Sequence, residues 1–100
     1  MLRTIERPGA AREGAEVIAL RALTWIAGDD ELMVGFVSVT GADLSEIRAR
    51  ATEPTFLAGV MDYVMADEEL LLAFARVNDL QPEQVAKAAR TLGGGAAWEG

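Results

Sequence analysis

Helix-stopping and helix-starting residues recur at short intervals along this chain, and they leave room for little except short helices. Gly28 precedes Asp29, Gly41 precedes Asp43, and Pro54, Asp67, the pair Asn78-Asp79 and Pro82 follow in turn. An aspartate just before an apolar run accepts hydrogen bonds from the free N–H groups of a first helical turn. A glycine after such a run takes the left-handed backbone that closes a helix. A proline fits the first helical position, where its missing N–H is not needed. Between these marks alternating apolar and polar residues are scarce, while Ala, Leu, Met, Glu and Arg dominate, the composition of helix rather than strand. The spacing predicts six helices: about Glu13 to Ala27, a second that starts behind Asp29 or Asp30 as its cap and stops at Gly41, then Leu44 to Thr52, Pro54 to Ala66, one capped by Asp67 through about Val77, and Pro82 to just before Gly93. Asp43 and Glu46 have the spacing of a capping box. The expected fold class is therefore all-α, a compact bundle of six short helices.

The punctuation also repeats. Setting residues 25–47 above residues 63–85, a spacing of 38, aligns Asp29 with Asp67, Glu31 with Glu69, Leu32 with Leu70, Phe36 with Phe74 and Val39 with Val77. Unrelated sequences of that length would share about one or two residues. Conservative pairs such as Trp25 with Tyr63, Met33 with Leu71 and Ile47 with Val85 extend the match. We expect two three-helix units, residues 15–52 and 53–92, packed face to face in one domain because neither is large enough to bury its own core. Residues 1–14 and 93–100, rich in Gly and mixed charge, are expected to be flexible tails.

On helical wheels Ala15, Ile18, Ala19, Ala22, Trp25 and Ile26 share one face of the first helix. The fourth helix carries a single charge, Asp62, and is expected to cross the first, with Gly59 marking a close approach of backbones. Leu32, Phe36 and Val39 in the second helix, flanked by Met33, and Leu70, Phe74 and Val77 in the fifth, flanked by Leu71, are expected to form core stripes. Four apolar residues are left over among polar neighbours: Val17, Leu20, Val34 and Leu72. Such residues are either scattered surface side chains or parts of a protein-binding patch.

The chemistry available is narrow. The chain has no cysteine and no histidine, which removes thiolate and imidazole metal sites, disulfides and the common nucleophilic triads. Asp29-Asp30-Glu31 and Asp67-Glu68-Glu69 could collect a cation, but they stand at helix starts and lack a calcium-loop spacing, so capping is the expected role. Asp62, repeat mate of Thr24, falls on a polar sector and is expected to be exposed or bonded to an arginine rather than catalytic. Gly93-Gly94-Gly95 follows a helix instead of preceding one, which is not a phosphate loop. No cofactor is expected. The second helix, the Gly41 turn and the third helix outline a helix-turn-helix, but the third helix sets Arg48 and Arg50 among Asp43, Glu46 and Glu53. Sixteen acids against nine bases give a net charge of −7, which opposes a phosphate backbone, so nucleic acid is not an expected partner. No apolar run behind Arg3 and Arg7 resembles a signal peptide and no long uncharged apolar run is present, so membrane contact is not expected and a cytoplasmic location is.

The stretch from Leu23 to Gly93 resembles a family of small bacterial all-helical proteins of about this length, known only as a domain of unknown function. The matching features are Asp-x-Glu-Leu opening the second helix, Thr40-Gly41 before Asp43-Leu44, Arg48-Ala49-Arg50-Ala51 and Pro54-x-Phe56-Leu57. Ala66-Asp67-Glu68 with Leu70 to Phe74, and Pro82-Glu83, complete them. Asn78-Asp79 departs from the glycine such a turn is expected to carry. The resemblance implies no activity, cofactor or catalytic residue. The expected function is a non-enzymatic protein-interaction or regulatory module that binds another protein or itself, with Val17, Leu20, Val34 and Leu72 as interaction residues. The alternative is a DNA-associated helix-turn-helix regulator. Trp98, alone in the Gly/Ala tail, is a candidate anchor.

Overall fold

The computed structural model describes residues 10–94, and among them there are six α-helices and no strand. They are α1 (Ala10–Ala27), α2 (Asp30–Thr40), α3 (Leu44–Arg50), α4 (Pro54–Met65), α5 (Glu68–Val77) and α6 (Pro82–Ala89), the last continued by a π-type turn at Arg90–Gly94. The caps are where local chemistry places them. The Asp29 carboxylate accepts from the N–H of Glu31 at 2.9 Å and of Leu32 at 3.1 Å. Asp67 does the same for Glu69 and Leu70 at 2.9 and 3.4 Å. Asp43 and Glu46 form the capping box, and Pro54 and Pro82 open their helices. Two ends differ from expectation. α1 is already helical at Ala10, the first described residue, where Ala10, Ala11 and Arg12 are strong helix formers. The tail boundary drawn at residue 14 therefore lies inside the helix. α3 stops at Arg50, earlier than Thr52; its C-cap Ala51 keeps helical backbone, and Glu53, the residue before Pro54, is extended. Trp98 lies outside the described residues.

α1 and α4 cross at the centre. Ala15, Ala19, Ala22, Leu23 and Ile26 of α1 are buried, and the small side chains of the three alanines let α4 and α6 come close. α4 contributes Phe56, Leu57, Val60, Met61 and Val64, the last three fully buried, and α6 adds Val85 and Ala88. α6 packs on α1, α4 and α5. α3 lies at the edge, with Ile47 its one buried side chain. No side chain buried among the described residues is polar or charged.

The expected stripes of α2 and α5 hold at Phe36 and Phe74, at Leu32 and at the flanking Met33 and Leu71, which pack on the core, and fail at their last members. Phe36 and Phe74 are fully buried, yet Val39 is 71% exposed and Val77 65%. The buried sector instead runs through Met33, Phe36 and Val37 in α2 and through Leu71, Phe74 and Ala75 in α5. Both helices are thus turned about their axes by most of one residue step. Gly59 also differs from expectation: a methyl group there would meet nothing within 4 Å. The close approach is at Gly35, where an added Cβ would stand 2.5 Å from the Tyr63 hydroxyl.

Two helix ends need a left-handed residue. Gly41 closes α2 with φ 77°, its N–H donating to the carbonyl of Val37. At the equivalent place after α5 stands Asp79, with φ 56°. Here Leu80 N–H donates to the Ala75 carbonyl at 2.8 Å and Asp79 N–H to that of Arg76 at 3.2 Å, the pair of bonds that makes a Schellman closure. The missing glycine has not loosened the corner.

Candidate functional site

Three aromatic contacts join helices among the described residues, one of them Phe36 of α2 edge-on to Phe56 of α4 at 6.0 Å. Trp25 of α1 packs on Phe74 of α5 with ring centroids 5.5 Å apart, and Tyr63 of α4 packs on Phe36 of α2 at 5.4 Å. The Phe36 and Phe74 carbonyls each also receive a side chain from four residues on. Thr40 Oγ1 donates to Phe36 O at 2.8 Å and Asn78 Nδ2 to Phe74 O at 3.2 Å. These contacts leave a shallow groove beside the Trp25 pair and another beside the Tyr63 pair. The first, about 440 Å³, is lined by Val17, Leu20, Arg21, Thr24 and Trp25 of α1 with Val77 and Asn78 of the α5 end. The second, about 660 Å³, includes Gly59, Asp62 and Tyr63 of α4 with Val39 and Thr40 of the α2 end, and Asp67 and Leu70 of the α5 start.

Five residues of the first groove, Arg21, Thr24, Trp25, Val77 and Asn78, stand 38 positions from Gly59, Asp62, Tyr63, Val39 and Thr40 of the second. Their chemistry differs. The first groove gains apolar area from Val17, 49% exposed, and Leu20, 37% exposed, and has a cationic rim at Arg21. The second has a glycine in place of that arginine and the carboxylates of Asp62 and Asp67 around it. Inside it the Tyr63 hydroxyl donates to the Leu32 carbonyl at 3.2 Å. Burial, and secondarily the Asp67 charge, raise the pKa of that hydroxyl above its ordinary value.

Val17 and Leu20 thus come together in one concave surface, joined by Val77, which the wheel had put in the core. Val34 and Leu72 are exposed, at 66% and 45%, but line neither groove. The signal that would have found Val77 is its distance from the helix end: a residue in the last turn of a short outer helix overhangs its support. The acidic tracts cap helices, and among the described residues no group of three or more acids is placed to hold a metal ion. Asp62 is exposed. On the helix-turn-helix outline, Ile47 is buried and Arg50 is committed to Glu53 at 2.9 Å and to the face of Phe56 at 5.3 Å. No helix among the described residues is long and apolar enough to cross a membrane.

The fold and its grooves define a small all-helical domain that presents apolar side chains at the surface. Over residues 12–95 the chain matches the family described as "protein of unknown function (DUF3572)", and it belongs to that family. Comparison with curated proteins and with solved structures gives no match.

Proposed function

We propose that this chain is a non-enzymatic, cytoplasmic protein-interaction module that receives an apolar stretch of a partner protein in the groove between α1 and the end of α5. The observation that carries this reading is the convergence of Val17, Leu20 and Val77, each more than a third exposed, around the partly exposed ring of Trp25. Apolar side chains gathered in a concavity lose water when a partner covers them, roughly 25 cal/mol for each Å². Arg21 on the rim would orient the partner by meeting a carboxylate. The non-enzymatic part of the reading rests on the chain's lack of histidine and cysteine. The DNA-associated alternative has less support, since α3 is seven residues long and Arg50 is engaged within the chain.

The same reading takes residues 25–47 and 63–85 as two copies of one helical unit. Its support is reciprocal: Trp25 packs on Phe74 while its mate Tyr63 packs on Phe36, and the mates Thr40 and Asn78 bond the two phenylalanine carbonyls.

Capture of proteins from native cytosol on the wild-type chain and on Leu20→Asp tests the interaction reading. A partner retained by the wild type and lost by a folded Leu20→Asp supports it. Equal retention of every captured protein by both contradicts it.

A further inference from the structure

We propose that the partner of this groove is a second copy of the chain, joined through α1 in a parallel two-stranded seam; the proposal rests on the interaction reading and names its partner. The outer face of α1 carries Val17, Leu20, Thr24 and Ala27, all exposed and spaced three, four and three residues apart. That spacing is the a and d stripe of a heptad, with Val17 and Thr24 at a and Leu20 and Ala27 at d. A β-branched residue at a with leucine at d favours two parallel helices. The opposite face of α1, Ala15, Ala19, Ala22 and Ile26, stays in the chain's own core, so pairing requires no unfolding.

The flanking charges fix the orientation. Glu16 takes the g position before Val17 and Arg21 the e position after Leu20. In a parallel pair a g residue of one helix faces the e residue five positions on in the other, and a twofold axis makes that contact twice. Arg21 is exposed and makes no ion pair among the described residues. Glu16 holds Arg12 only at 3.8 Å. Antiparallel helices would place Glu16 and Arg21 on opposite sides of the seam, where neither finds the other. Glu13, one turn before Val17, ends the apolar stripe, and two copies of net charge −7 repel at long range. The seam is therefore short and the dimer weak, with the Glu16 and Arg21 pairs setting its orientation. Val77 borders it across the groove.

Sedimentation of the full chain from micromolar to millimolar concentration tests this. The wild type is expected to pass from monomer to dimer. Arg21→Glu and Glu16→Arg are each expected to weaken the dimer about tenfold, since each loses two pairs, and the combined exchange restores it. Because the chain has no cysteine, Leu20→Cys places one thiol at the seam, and mild oxidation is expected to link two copies while Arg21→Cys links few. Circular dichroism checks that each variant is folded. A wild type that stays monomeric at millimolar concentration overturns the proposal, as does a dimer whose charge exchange fails to restore it. If the monomer still loses a captured protein on Leu20→Asp, self-pairing is wrong and the interaction reading stands. If a wild-type dimer persists in Leu20→Asp and captured proteins persist with it, both are wrong.

Discussion

The aromatic pair Tyr63 on Phe36 and the pair Trp25 on Phe74 hold corresponding places with different geometry, the first edge-on at 78° with Phe56 also against Phe36, the second tilted at 43°. Both phenylalanines are fully buried and both helices begin on an aspartate cap. The Tyr63 side is locked: its hydroxyl bonds the Leu32 carbonyl, and only a glycine at position 35 leaves room for it. The Trp25 side has no such bond, and the α1 surface next to it carries Val17, Leu20 and Arg21 where the α4 surface has Thr55, Ala58 and Gly59. One side is shaped for holding the fold together. The other leaves Val17, Leu20 and Arg21 exposed beside its core contact, whereas the exposed apolar residue beside the Tyr63 pair is Val39.

The largest effects should fall on what the two sides share. Phe36→Ala and Phe74→Ala are each expected to cost about 3–5 kcal/mol in urea denaturation, because each empties a site with no exposed surface. A loss at Phe74 well below that at Phe36 would show that the Trp25 side contributes little to the core.

Gly35→Ala separates the two sides next. Alanine is the better helix former by roughly 1 kcal/mol, yet here its methyl displaces the Tyr63 hydroxyl, and a net loss of about 1 kcal/mol is expected. In a Tyr63→Phe background the same change should become stabilising by about 0.5–1 kcal/mol. Thermal midpoints of the four chains decide the matter, and a loss that persists without the hydroxyl would mean that the crowding lies elsewhere.

Much of the architecture was legible because it is local. Asp29, Asp43, Asp67, Pro54, Pro82 and Gly41 act within a turn of themselves, so their effect survives any arrangement of the rest. The crossing of α1 and α4 was legible from the broad apolar face of α1 and from the single charge, Asp62, on α4. Val39 and Val77 were not, because a wheel shows that Phe36 and Phe74 are apolar but not on which side of them the neighbouring helix lies. The glycines were exchanged for a similar reason. Gly59 breaks a helix rule visibly and meets nothing, whereas Gly35 sits in an ordinary run and is the one that a distant tyrosine requires. At the groove, Val17 and Leu20 stood out between Glu16 and Thr24, while Val77 needed the end of α5 to be placed beside α1.

Smaller effects sharpen the contrast at the backbone. Gly59→Ala should stabilise by about 0.5–1 kcal/mol, as an alanine in open space within a helix does. Asp79→Gly should add up to about 1 kcal/mol by relieving a left-handed residue, while Gly41→Ala should lose about as much. Calorimetry of the three variants gives the signs. Smallest of all, Val39→Thr, Val77→Thr and Leu72→Gln should each stay within about 0.5 kcal/mol of the parent in urea denaturation. A loss near 2 kcal/mol at Val77 would return it to the core and close the first groove.

In the proposed reading the apolar side chains of the first groove stay in water until a partner covers them. Methyl NMR with a soluble paramagnetic agent, followed from dilute to concentrated chain, reads this directly. Val17, Leu20 and Val77 should be strongly broadened in the dilute chain, and Val17 and Leu20 should become protected as concentration rises, while Val39 remains broadened and Val60 and Val64 protected throughout. Protection of Val17 and Leu20 already in the dilute chain would contradict the interaction reading, and their full exposure at every concentration would contradict self-pairing.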